Sequence, residues 1–263
     1  DDGPSFGPSH QPPRLIMKAP ETTPLLDPEE LLTRNRELML LMSKVSHNLK
    51  APIATIRGIN NLALKRIQDP DARHFFDLIS RSTDLMQQIV SDLLAFSKVT
   101  SAIVEVETLD LPAIVDDIHH NLQYRDADGP VRFELNFDHA LPFGTDKALM
   151  SAIIQNLLEN AFKFRNPENP EGRVQLSTTS VGDNLQLQVT DNGIGIPNDQ
   201  ADKVFNMFYR AHEAYPGNGL GLFITKRCAE KLRGTIALDR TEAGTRFTVC
   251  IPNVLHPSDA NPS

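Results

Sequence analysis

From Met42 to Ile67 apolar residues recur at intervals of three and four: Met42, Val45, Leu49, Ile53, Ile56, Ile59, Ala63 and Ile67. A strand would scatter them over both faces, so this stripe demands a long amphipathic helix. Asp27-Pro28-Glu29-Glu30 supplies an acidic start, with Leu31, Leu32 and Leu38 following, and Asp69-Pro70-Asp71 is a break. A second stripe then runs through Phe75, Leu78, Ile79, Ser82, Leu85, Ile89, Leu93, Phe96 and Val99. Two such helices form only a hairpin, whose wide apolar faces need another pair. A four-helix bundle made by dimerisation is the simplest arrangement that covers them.

After Lys98 the period changes. Short alternating runs appear at Val131–Phe137, Arg173–Leu176, Leu185–Val189, Thr235–Leu238 and Thr245–Ile251, with helical stretches near 110–122, 145–164 and 219–233 between them. Turn residues stand at Gly182-Asp183-Asn184 and Glu242-Ala243-Gly244. This mixture predicts an α/β sandwich with helices on one face of a sheet. The expected organisation is a Pro-rich lead-in at 1–28, a helical hairpin at 29–102, an α/β domain at 103–253 and a frayed tail at 254–263. The first residue is not Met, so an upstream part, such as a membrane-bound sensor, is compatible with the sequence.

Charge narrows the partners. With 26 Lys+Arg against 34 Asp+Glu the net charge is −8, which argues against nucleic acid as the main partner. Any anionic ligand must find its positive potential locally. No run approaches the roughly 18 to 20 apolar residues of a membrane span, so no membrane contact is expected from this segment. The two cysteines, Cys228 and Cys250, sit inside apolar patterns and read as small core residues of a reducing, cytoplasmic compartment.

Three constellations could carry chemistry. At about 100° per residue His47 falls nearly opposite the first stripe, an imidazole displayed for use as nucleophile or ligand, with Pro52 interrupting helix bonding just beyond it. In Asn156-Leu-Leu-Glu-Asn160-Ala-Phe-Lys163-Phe164 the helical period puts Asn156, Asn160 and Lys163 on one face and Ile154, Leu157, Leu158 and Ala161 on the other. Amide oxygens can complete a Mg²⁺ shell and a Lys can sit against phosphate. Asp191-Asn-Gly193-Ile-Gly195 then follows a strand, and Gly217-Asn-Gly219-Leu220-Gly221-Leu222 opens a helix. The first glycines allow close approach to a planar ligand, Asp191 can accept from an exocyclic amine, and the second set frees amides for phosphate.

In this order the motifs resemble those of sensor histidine kinases, over about residues 30 to 252. Ser46-His47-Asn48-Leu49-Lys50-Ala51-Pro52 looks like the phosphoacceptor box and Asn156–Phe164 the N box. Asp191–Gly195 and Gly217–Leu222 look like the two glycine boxes. Phe205–Arg210 looks like the F box, and Gly244-Thr245 the terminal motif. The resemblance implies a homodimer that binds Mg-ATP, phosphorylates itself on His47 and passes the phosphoryl group to an aspartate of a response-regulator receiver domain. It assigns Asp191 and Thr245 to adenine, Phe164 to the ring face, Asn156 and Asn160 to Mg²⁺, and Lys163 and Arg210 to the phosphates, with 204–221 as the lid. His212, in that lid, reads as a solvated residue, as do His74, His119, His120, His139, His10 and His256.

The sequence departs from the family pattern at two positions. Asn48 stands where the family has an acidic residue to take the histidine's proton, and an amide is no base. Ala51 stands where Thr or Asn orients water for dephosphorylation. Slow autophosphorylation and weaker phosphatase activity are therefore expected. Asn48 also keeps a degenerate, nucleotide-responsive dimeric scaffold in view. A DNA-repair or topoisomerase ATPase of the same superfamily would need a further domain after Ile251.

Overall fold

The structure, a computed structural model, describes residues 28–101, 103–123, 131–138, 142–169, 171–212, 215, 217–241 and 244–255. The Pro-rich lead-in, most of the tail, Pro216, the Glu242-Ala243 turn and the histidines at 10, 139 and 256 lie outside these residues.

The hairpin consists of α1 (Pro28–Leu64) and α2 (Pro70–Ser101). Asp69 makes the corner, its Oδ1 accepting from the Asp71 amide at 3.0 Å. Helix α1 runs unbroken through Pro52. Of the first stripe that the sequence displays, Ile53 packs between the two helices, while most of the stripe does not. Ser46, Ile53 and Asn60 of α1 and Thr83, Val90 and Ser97 of α2 are buried. Each set repeats every seven residues, a single coiled-coil-like row. Ser97 Oγ donates to the Met39 carbonyl at 3.2 Å, and Asn60 Nδ2 donates to the Phe76 carbonyl at 2.9 Å. These two bonds fix one antiparallel register, which sets Ser46 level with Val90 and Ile53 level with Thr83. These two layers each oppose one apolar side chain to one polar one, whereas Asn60 Nδ2 also donates to Ser80 Oγ at 2.5 Å. Much of both stripes points away: Val45 is 54% exposed and Ile59 63%, and Leu49, Ile56, Leu78 and Leu85 are also exposed.

The α/β domain has β1 (Val106–Leu109), α3 (Leu111–Gln123), β2 (Arg132–Asp138), β3 (Phe143–Asp146), α4 (Lys147–Lys163), β4 (Arg173–Val181), β5 (Asn184–Asp191), α5 (Gly221–Lys231), β6 (Thr235–Thr241) and β7 (Gly244–Pro252). The main sheet has the order β2-β4-β5-β7-β6. Only β2 and β4 pair in parallel. β1 and β3 form a separate antiparallel pair that the sequence reading missed. All four residues of β3 are buried, so no alternation marks it. Helix α4 is the spine of the core: Met150, Ile153, Ile154, Leu157 and Leu158 are fully buried and face Leu176, Leu187, Val249 and Ile251 of the sheet. Asp146 caps α4 by accepting from the Leu149 amide at 3.0 Å, and its other oxygen accepts from the Glu105 amide. Cys228 lies in this core, and burial pushes its thiol up to about 12. Cys250 is half-buried.

The two parts touch along α2 and α5. Phe96 packs on Phe223 with ring centres 5.3 Å apart, and Lys231 Nζ donates to the Val99 carbonyl. Among the described residues no helix is long and apolar enough to cross a membrane.

Candidate active site

Between α4, the ends of β5 and β7, the segment before α5 and the flank of α2 lies a cavity of about 580 Å³, the size of a small-molecule site. Asp191 stands in it at the end of β5. Its Oδ1 accepts from the Gly193 amide at 2.9 Å, and a backbone bond from Thr245 on β7 reaches it too. Burial outweighs those bonds and pushes the carboxyl up to about 6. Gly193 passes directly beneath the Phe164 carbonyl, where a β-carbon would collide with it. The glycine is there to let this loop close under the last turn of α4.

The polar face of α4 forms the opposite wall, with Asn156, Glu159, Asn160 and Lys163 all lining the cavity. Burial, then the neighbouring Arg210 charge, pulls Lys163 down to about 8, while Glu159 opposes the shift. Its Nζ lies 4.3 Å from the centre of the Phe164 ring. Arg210 and Lys163 bring two cations to one side of a chain that is acidic overall. Beyond them the second glycine loop enters α5. Gly219 has φ of 72° and sits against the Phe208–Tyr209 backbone, while the Phe208 amide donates to the Gly219 carbonyl at 3.1 Å. Only glycine meets both conditions.

The structure thus brings to one cavity Asn156, Asn160, Lys163, Phe164, Asp191, Gly195, Arg210, Gly217, Gly219, Gly221, Leu222 and Thr245. Gly193 supports it from beneath. Leu220 is a fully buried core residue at the start of α5 and does not line it. His47 and Asn48 are exposed on α1, outside the cavity.

Two histidines expected to be solvated are not. His212 is half-buried, its Nε2 is 2.8 Å from the Gly195 carbonyl oxygen, and its ring joins Phe164 and Tyr215 in an aromatic cluster. His119 packs against Phe133 with tilted rings whose centres are 4.2 Å apart, and burial lowers its pKa. The sequence reading also passed over Glu159, which the helical period places beside Asn156 and Asn160. It had no signal for the α2 wall, where Arg81, Asp84, Leu85, Gln88 and Asp92 line the cavity.

The donor set suits a hard divalent cation: two amide oxygens and a carboxylate on one helix face. Among the described residues no group of three or more His, Cys, Asp or Glu is placed to hold a metal alone. An ion here would share its shell with ligand oxygens.

Comparison with known proteins agrees with this geometry. Residues 37–102 match the family "His Kinase A (phospho-acceptor) domain", and residues 145–255 match "Histidine kinase-, DNA gyrase B-, and HSP90-like ATPase". Cyanobacterial phytochrome A of Nostoc sp. is 30% identical over 85% of this chain and 29% of its own length. Hybrid signal transduction histidine kinase A of Dictyostelium discoideum is 30% identical over 90% of this chain and 12% of its own. The chain therefore spans less than a third of either relative. The fold is that of histidine kinase ThkA in its complex with response regulator protein TrrA, with TM-score 0.60, 22% identity, and coverage of 86% of this chain and 65% of that one.

Proposed function

Given that the chain belongs to the histidine kinase family, we propose that it transfers the γ-phosphoryl group of ATP to His47 and then to a response-regulator aspartate. The observation that carries this reading is a carboxylate at the base of a cavity whose opposite wall holds two amides and a cation, in a chain that also displays His47 in solvent.

Asp191 accepts from the adenine amino group, Thr245 supports it, and Phe164 covers the ring. Asn156 and Asn160, with Glu159 beside them, would hold Mg²⁺, which when bound would neutralise charge on the phosphates. Lys163 and Arg210 meet the phosphate oxygens, and amides of the second glycine loop complete the cradle. His47 attacks the γ-phosphorus through its unprotonated ring nitrogen, and the phosphorylated ring then sheds its remaining N–H proton to water. The bond to the β-phosphate oxygen breaks, and ADP leaves with that electron pair. The N–P bond then passes the group to a carboxylate of a receiver domain. Asn48 orients the tautomer without removing a proton, so turnover is slow, and Ala51 offers no group to position water.

The exposed apolar stripe supports a homodimer, with a second copy covering Val45, Ile56 and Ile59. The domain limits proposed are 29–102 for the hairpin and 103–253 for the ATP-binding domain, in a cytoplasmic protein.

Incubation with γ-labelled ATP tests the reading. Acid-labile label should appear on the wild type, vanish in His47→Gln and accumulate faster in Asn48→Glu. Label retained in His47→Gln overturns the site. Asp191→Asn should weaken nucleotide binding ten- to a hundredfold, the effect of losing about 1.5–3 kcal/mol of charge-assisted hydrogen bonding.

Nucleotide affinity should also be bell-shaped in pH. Asp191 accepts most strongly when ionised, so affinity falls as pH drops through about 6. Lys163 attracts phosphate only when protonated, so affinity falls as pH rises through about 8. Calorimetry from pH 5 to 9 should find the acid limb gone in Asp191→Asn and the alkaline limb gone in Lys163→Arg.

A further inference from the structure

Asp92 is an odd residue to find in a phosphate-binding cavity. It is partly buried on α2, and burial pushes its carboxyl up, with Glu159 across the cavity adding to the shift. A negative charge there opposes an anionic ligand, so direct contact with substrate does not explain it. Its bonds do. Asp92 Oδ2 accepts from Asn218 Nδ2 at 2.6 Å, and Oδ1 accepts from Gln88 Nε2 at 3.0 Å. Asn218 lies between Gly217 (φ 143°) and Gly219 (φ 72°), at the centre of the second glycine loop. Its own Oδ1 accepts from the Leu220 amide at 3.1 Å. One side chain therefore joins the start of α5 to the hairpin, across a loop whose glycines give it little stiffness of its own.

The place of the contact matters as much. The register of the hairpin sets His47 level with Ile89, within a turn of Gln88 and Asp92. The α/β domain is thus docked at the height of His47, yet the cavity opens on α2 and His47 does not line it. To reach His47 of the same chain the domain would have to leave this seat by turning around the hairpin, with no need to slide along it.

We propose that Asp92 is a positioning residue: through Asn218 it fixes the second glycine loop in its nucleotide-retaining shape and seats the α/β domain on α2, away from the His47 face. The inference rests on the nucleotide reading of the cavity. One contact then has opposite effects on two steps, favouring retention of nucleotide and delaying transfer.

The test is Asp92→Ala, Asn218→Ala and the double variant in the full chain, read by calorimetry with ADP, by labelling kinetics and by amide hydrogen exchange. Each single variant should weaken ADP about three- to tenfold, as expected for losing one partly solvated bond to a charged group. KM for ATP should rise by a similar factor, while the labelling rate at saturating ATP rises. Exchange at the Leu220 amide should quicken without nucleotide present. Because both substitutions break one bond, the double variant should match the singles. Asp92→Asn, whose amide oxygen still accepts from Asn218, should restore most of the affinity. Additive effects overturn the proposal, as do unchanged affinity and exchange, or KM and rate falling together. If the wild type binds no nucleotide, the functional reading fails first, and that is visible in the same titration.

Discussion

The two halves of this chain bury their apolar residues in different ways. In the α/β domain, α4 sets Ile153, Ile154, Leu157 and Leu158 against a sheet of Leu, Val and Ile, all fully buried within one copy. In the hairpin Ser46 lies opposite Val90 and Ile53 opposite Thr83, while Val45, Leu49, Ile56 and Ile59 are exposed. The domain closes its own core; the hairpin leaves a broad apolar surface exposed. A mixed seam also has little to lose when one helix turns against the other, whereas a close-packed core resists any shift. Stability and movement are therefore assigned to separate regions, with the candidate cavity where they meet.

The largest effect should come from breaking the outward face. Ile56→Glu with Ile59→Glu places four charges in a two-copy bundle and should weaken association by roughly 4 kcal/mol or more, about a thousandfold. Sedimentation should show monomers at micromolar concentration, with the thermal transition of the α/β domain retained. A dimer of unchanged affinity would mean that another surface associates.

The outward stripe was legible in the sequence because its apolar residues recur at intervals of three and four from Met42 to Ile67. The inner seam was not. Ser46, Asn60, Thr83 and Ser97 carry no hydrophobic signal, and only the register shows that they are buried. In the α/β domain the five main strands and three helices could be read, since their faces alternate or repeat cleanly. β1 and β3 could not, one too short and the other buried on every side. The site divides along the same line. Residues within one motif, such as Asn156, Asn160 and Lys163, were placed by helical period. The α2 wall and the Asp92–Asn218 bond depend on how two parts of the chain meet, and no local pattern encodes that.

A smaller contrast separates the two cores directly. Leu157→Ala should cost the α/β domain about 2–5 kcal/mol, the usual range for an aliphatic residue cut back in a core that cannot collapse. Ile53→Ala should cost less than that range, since its layer is shared with Thr83 and the helices can close the gap. Denaturant titration of each transition measures both. Equal costs would show the seam to be as tightly packed as the core.

The smallest predicted effect bears on the seam alone. Ser46 is 1% exposed, and its Oγ has no hydrogen-bond partner among the described residues. Burying an unpaired hydroxyl costs free energy that a methyl group does not, so Ser46→Ala should stabilise the hairpin by about 0.5–1 kcal/mol. The alanine also has the higher helix propensity, which adds in the same direction. The change lies beside His47 but on the inner face, and it leaves the exposed imidazole untouched. If the mixed seam exists to keep the helices free to turn, a tighter layer should slow labelling of His47 while raising the melting temperature. Stability gained with no change in labelling would leave the seam a tolerated imperfection and confine the movement to the docked domain. Stability lost would mean that the second copy of the chain supplies the missing partner to Ser46.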